Sequence, residues 1–237
     1  MKPVFLALQF MTRLPLRAVQ ADSRDIAAAI RWFPVAGLLV GACLCGGAWL
    51  GAQREPWLGA LLALLAWVGV TGALHLDGLG DIADAAGAGH RDRGRISQVL
   101  ADPHIGSFGV VAIALQLACK LVLLRLAIDT SAFAALAAIP VTARIAPLFW
   151  ARTLPPLHEG LGTMFRAGAS LPALVAWLAV LAAAAAALTP ALLAALPAAM
   201  LWRRWLRRNI GGISGDGHGG GIELVETATL AAVVLAS

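Results

Sequence analysis

Seven apolar runs constrain what this chain can fold into: residues 32–51, 57–74, 107–128, 132–151, 171–188, 191–202 and 222–237. A hydrocarbon core about 30 Å thick is crossed by roughly 20 apolar helical residues, and most of the runs approach that length. Open backbone amides are costly in lipid, so the runs predict helices, and none shows the alternation of a barrel strand. Composition agrees, with 60% of the 237 residues apolar and 13% charged, against about 25% charged in a soluble domain. The expected fold is all-α, a polytopic bundle of about seven transmembrane helices, with residues 1–237 as a single membrane-embedded domain. Trp32, Trp49, Trp57, Trp150, Trp202 and Trp205 stand at run ends, where indole rings favour the headgroup level.

The stretch 171–202 reads either as one tilted helix or as a hairpin. "LTPAL" at 188–192 offers a turn, because Pro190 disfavours helix at Thr189. With the N-terminus inside, a hairpin places the basic N-terminal segment, "RDRGR" (91–95), Arg152, Arg166 and "RRWLRR" (203–208) on one side. Arg54 alone stays in an outer loop. A single span would put the four-Arg cluster outside, against the positive-inside rule. The hairpin is therefore expected, with the C-terminus outside and the polar stretches 75–106, 152–170 and 203–221 all facing the cytoplasm. "RRWLRR" then reads as a membrane anchor, and the net charge of +5 implies no nucleic-acid partner.

"MKPVFLALQFMTRLPL" lacks a convincing cleavage site, so an uncleaved interfacial segment with Val4, Phe5 and Leu8 toward lipid is expected. Cys43, Cys45 and Cys119 match no metal or redox spacing and read as small core residues. Gly37 and Gly41 form a small-xxx-small face that could pack helices, within the chain or in a homo-oligomer. No internal repeat supports an inverted-repeat transporter.

Chemistry concentrates in "TGALHLDGLGDIADAAGAGH" (71–90), which holds Asp77, Asp81 and Asp84 although the chain has 13 acidic residues in all. At ~100° per residue these three fall within an arc of roughly 60°. Carboxylates on one face repel unless a cation lies between them. Mg²⁺ suits such oxygen ligands, taking one or two carboxylates and completing its shell with water and substrate phosphate. Gly78 and Gly80 weaken the helix but leave room for a diphosphate; the plainer alternative is a hydrated interfacial loop. Asp102 in "LADPHIGSFG" is a turn or cap residue, a further metal ligand, or a base for an attacking hydroxyl. Arg91, Arg93 and Arg95 can offer guanidinium groups to phosphate or serve topology alone.

"NIGGISGDGHGGGIELVE" (209–226) is glycine-rich, and its amides, with Ser214, Asp216 and His218, can surround an anion. It is not a P-loop, and a flexible linker is the alternative. Glu223 and Glu226 open the last run, where ionised groups are expensive unless paired or functional. "HEGLG" (158–162) lacks the second His of a zinc-protease signature. Together these features predict a Mg²⁺ platform for a diphosphate substrate at a membrane face.

"FMTRLP" (10–15), "FPVAGLLVGA" (33–42), "GALHLDGLGDIADA" (72–85), "DPHIGSFG" (102–109) and "SGDGHGGGIELVE" (214–226) occur in order. In this arrangement the chain resembles the adenosylcobinamide-GDP ribazoletransferase (cobalamin synthase) family. The resemblance implies a Mg²⁺-dependent enzyme of the bacterial inner membrane. It would join adenosylcobinamide-GDP and α-ribazole, or its 5′-phosphate, and release GMP. By motif, Asp77, Asp81 and Asp84 would hold metal, with Asp84 and Asp102 catalytic. His75, Arg91, Arg95, Ser214, Asp216 and Glu223 would contact substrate. The alternatives are another membrane phosphotransferase, such as a CDP-alcohol phosphotransferase, a prenyltransferase, or a transporter using Lys120 and Arg144.

Overall fold

The computed structural model describes residues 1–89 and 95–236. The described residues form an all-α bundle in which α1 (Lys2–Met11) and α2 (Ser23–Ala29) lead into α3 (Phe33–Ala52). There follow α4 (Pro56–Thr71), α5 (Leu74–Gly89), α6 (Arg95–Val99), α7 (Ser107–Asp129), α8 (Phe133–Ala143) and α9 (Ala146–Thr153). The remainder is α10 (Leu161–Gly168), α11 (Leu171–Ala187), α12 (Ala195–Asn209) and α13 (Gly215–Leu235).

Three stretches are long and apolar enough to cross a membrane: Ser23–Ala52, Ser107–Asp129 and Phe133–Thr153. Two bent pairs, α4–α5 and α10–α11, raise the number to five if each is one span. Seven crossings are not matched: α12 and α13 are outside these five. After the 3-10 turn at Pro190–Ala194, α12 has 15 residues, short of the ~20 a crossing needs, and α13 begins in the glycine run and carries Glu223 and Glu226. The break at Thr189 is as expected, its side chain accepting the Ala191 amide at 3.3 Å.

Other expectations change with packing. Polar stretches expected as loops are largely helical, since α12 runs on through the arginine cluster and α13 starts inside the glycine run. Trp150 and Trp202 are buried, each donating its indole N–H to a backbone carbonyl, of Ala199 and Gly217 respectively. Trp32, Trp49 and Trp57 are exposed. Cys119 lies exposed on α7, whereas Cys43 and Cys45 are half-buried. Along α1, Phe5 is exposed while Leu6, Ala7 and Met11 turn inward.

Gly37 and Gly41 are used inside the chain, where α3 packs on α8. A β-carbon at Gly37 would stand 2.6 Å from the Pro140 carbonyl and from Val141 Cα, and one at Gly41 would strike the Ala137 carbonyl. Gly37→Ala therefore forces the helices apart and is expected to cost about 1–3 kcal/mol. Gly46→Ala, on the exposed face with nothing within 4 Å, is the control. Thermal unfolding in detergent should show a lowered midpoint for the first and none for the second; equal midpoints would contradict this packing.

The bend of 82° between α4 and α5 positions the site. Gly72 and Ala73 both adopt left-handed backbone, with φ of 59° and 58°. The Ala73 amide reaches back to the Val68 carbonyl at 3.1 Å, closing the helix end. The Arg13 stem lies where a side chain at Gly72 would stand, and the Arg13 amide bonds the Val70 carbonyl at 2.9 Å. The corner is thus fixed from the N-terminal segment, and α5 is sent across α13 and α7 instead of prolonging α4.

Candidate active site at the crossing of two glycine-bearing helices

Glycines decide how closely α5 and α13 meet. A β-carbon at Gly78 would stand 2.8 Å from Asp216 Cα, and one at Gly220 would stand 3.0 Å from Leu79 Cα. Backbone therefore packs on backbone. The helical penalty of ~1 kcal/mol per glycine is offset by a contact that no larger residue permits. This proximity brings Asp77 and Asp81 of α5 into the field of Asp216, in the first turn of α13. Ser214 caps that turn: its Oγ accepts the Gly217 amide at 3.0 Å and donates toward Asp216 Oδ2 at 3.4 Å.

Asp77 is exposed, and Asp81, Asp84 and Asp216 are half-buried. Burial, followed by the carboxylates of Asp216, Asp77 and Asp84, pushes Asp81 up to about 6. Burial likewise raises Asp216, with Asp77 adding to the effect. Among the described residues, no ion pair within 4 Å involves any of the four. Mutual repulsion without a cation is the condition that a divalent ion relieves.

Asp84 is placed differently from its neighbours. Its Oδ2 accepts the Gly106 amide at 2.7 Å and its Oδ1 the Gly109 amide at 3.0 Å, pinning the start of α7 to α5. Both oxygens are thus already engaged. Asp84 also borders a cavity of about 850 Å³ shared with Arg95, Asp102 and His104. There Asp102 Oδ1 lies 2.8 Å from His104 Nδ1 and accepts the His104 amide at 3.0 Å. Those two hydrogen bonds hold the Asp102 carboxyl below the usual carboxylate range.

His75 and Glu223 do not join this surface. His75 is buried, its Nδ1 3.5 Å from Arg144 Nη2. Glu223 is buried too, 2.7 Å from Lys120 Nζ and accepting from Gln116 Nε2 at 2.9 Å. Glu226 takes Lys120 at 2.7 Å and Arg144 at 2.8 Å, so both buried cations are paired with carboxylates. Arg91 and Arg93 lie outside the described residues.

One neighbour went unnoticed in the sequence. The Pro155 carbonyl and Leu157 amide bond the backbone of Ile213, which brings His158 close enough to Asp216 to favour its charged form. His158 sits in "HEGLG", which matches no zinc signature, and no local spacing there points to Asp216.

Among the described residues, no group of three or more His, Cys, Asp or Glu is gathered to hold a metal by itself. Asp77, Asp81 and Asp216 are hard oxygen donors of the kind Mg²⁺ takes, one or two carboxylates with water and substrate phosphate completing its shell.

A family model described as cobalamin-5-phosphate synthase matches residues 3–234. An adenosylcobinamide-GDP ribazoletransferase of Novosphingobium aromaticivorans is 55% identical, over 99% of this chain and 97% of its own. Proteins of the same name from Laribacter hongkongensis (50% identical, 100% and 98% covered) and Thiobacillus denitrificans (47% identical, 97% and 94% covered) are also similar. No solved structure matches the chain. An all-α membrane bundle with an acidic helix crossing, matched over nearly its whole length, this chain belongs to the cobalamin-5-phosphate synthase family of transferases.

Proposed function

We propose that the chain joins adenosylcobinamide-GDP to α-ribazole, or to its 5′-phosphate, in a Mg²⁺-dependent reaction that releases GMP. The product is adenosylcobalamin or its 5′-phosphate. The setting is the bacterial inner membrane, with the acidic crossing toward the cytoplasm, a reading supported by the one-sided arginine distribution of the sequence. The observation that carries this reading is the convergence of Asp77, Asp81 and Asp216, whose carboxylates repel one another, in a chain whose relatives are named for this transfer.

A ribazole hydroxyl oxygen attacks the phosphorus on the corrinoid side of the diphosphate. A new P–O bond forms, the P–O bond to GMP breaks, and the hydroxyl proton passes to a base. Asp102 is that base, kept ionised by His104 on the cavity wall it shares with Arg95. The Arg95 guanidinium orients a phosphate through charge-assisted hydrogen bonds. Asp77, Asp81 and Asp216 would supply carboxylate ligands to Mg²⁺, which when bound would offset charge on the phosphate oxygens. Asp84 is a positioning residue, fixing α7, and with it the 102–106 segment, against the acidic helix.

Membranes or detergent extracts containing the chain should convert the two substrates with one GMP released per cobalamin formed, and EDTA should stop them. GDP in place of GMP would refute attack at phosphorus. No product from folded protein with Mg²⁺ would overturn the assignment.

A further inference from the structure

A cavity of about 880 Å³ opens between α5, α12 and α13. Its α5 wall is Leu79, Ile82 and Ala83. At ~100° per residue these positions point roughly opposite to Asp77, Asp81 and Asp84. The cavity is therefore separate from the acidic face, and none of the chemistry above uses it.

Its lining is graded along α12. Arg204, Arg208 and Asn209 stand at the end where α12 finishes. Leu201, Leu224 and Ala228 line the apolar remainder, with Ala198 the farthest α12 residue. Between Ala198 and Asn209 the helix rises about 16 Å at 1.5 Å per residue. The apolar part opens sideways: Leu201 is 67% exposed and Leu224 36%. Trp202 lies between Leu201 and Arg204, stacked on Trp205 with centroids 5.0 Å apart.

We propose that this cavity is a binding site for an anionic phospholipid. The headgroup phosphate sits by Arg204, and the start of one acyl chain runs along Leu201, Leu224 and Ala228. Three observations select that occupant. Among the described residues the lining carries no carboxylate while Arg204 is exposed on it, so its charge complement is an anion. The lateral opening of a membrane bundle meets acyl chains, and the apolar part, about 9 Å from Ala198 to Arg204, takes the upper half of one. An indole between a basic end and an apolar end matches the level at which tryptophan lies in a bilayer. A soluble phosphate would satisfy Arg204 and leave the apolar part unfilled.

The test is tryptophan quenching in phosphatidylcholine vesicles holding the whole chain and a small fraction of acyl-brominated phosphatidylglycerol. Quenching should saturate at low mole fraction and should be weaker with brominated phosphatidylcholine at the same fraction. One arginine near a membrane surface is worth about 1 kcal/mol toward anionic lipid, so Arg204→Gln should weaken the apparent affinity about fivefold. Leu224→Phe, which fills the exposed apolar end without adding an indole, should reduce saturable quenching with Arg204 intact. Quenching that ignores headgroup charge, or survives both substitutions, overturns the proposal. So does full displacement by millimolar inorganic phosphate, which would make this a site for a soluble anion.

Discussion

Asp81→Asn should lower turnover about 100-fold at limiting Mg²⁺, with part of the loss recovered when Mg²⁺ is raised. Asparagine keeps the size and one acceptor oxygen but removes the charge that meets the ion, and even outer-sphere partners of a bound metal are worth 10–100-fold. Asp77→Asn should behave alike and less severely, because Asp77 is exposed and water can replace it. Asp84→Asn should differ in kind. Its carboxylate is engaged by the Gly106 and Gly109 amides, so the loss should fall on stability and kcat with little recovery by Mg²⁺. Arg207→Gln, on the exposed side of α12, should leave turnover as it was. Steady-state rates across a Mg²⁺ titration, with thermal unfolding alongside, separate these outcomes. If Asp77→Asn and Asp81→Asn leave Mg²⁺ dependence unchanged, metal is not held at the crossing.

How much of this was legible in the sequence depends on the element. The runs that became α3, α4 and α7 were readable because apolar length alone dictates a helix in lipid. The α5 acid face was readable from spacing, since positions i, i+4 and i+7 share one side whatever surrounds them. The glycine run before Ile222 was not. Local propensity argues against helix there, and what overrides it is contact with α5, which no local pattern encodes. Trp150 and Trp202 show the same limit: a place at a run end does not reveal which way the ring turns, and their N–H groups found interior carbonyls. Asp216 was singled out but could not be placed beside Asp81, and His158 was passed over, because a turn of chain bonded to Ile213 brings it there. Lys120 and Arg144 read as intramembrane cations that either pair with acidic groups or serve a substrate path, and only the packing of α7, α8 and α13 gives them Glu223 and Glu226 as partners.

That last set carries a stability prediction. Glu226 is fully buried, with Oε2 2.7 Å from Lys120 and Oε1 2.8 Å from Arg144. Glu223 gives Lys120 a second carboxylate at 2.7 Å, and the Pro140 carbonyl accepts from Arg144 at 2.9 Å. Two cations thus meet two anions, and α7, α8 and α13 are tied at one level. Glu226→Gln leaves one positive charge uncompensated where neither water nor lipid can solvate it. Breaking a buried pair from one side typically costs about 3–5 kcal/mol, far more than a surface pair. The variant should therefore unfold at markedly lower temperature in detergent. Adding Arg144→Met removes the orphaned charge and should restore part of the loss, since an apolar replacement of both partners is often neutral. His75 would lose the Arg144 guanidinium, 3.5 Å from its Nδ1, in that double variant, so full recovery is not expected. If the single variant is as stable as the parent, or the double variant is the less stable of the two, the network is not what joins these three helices.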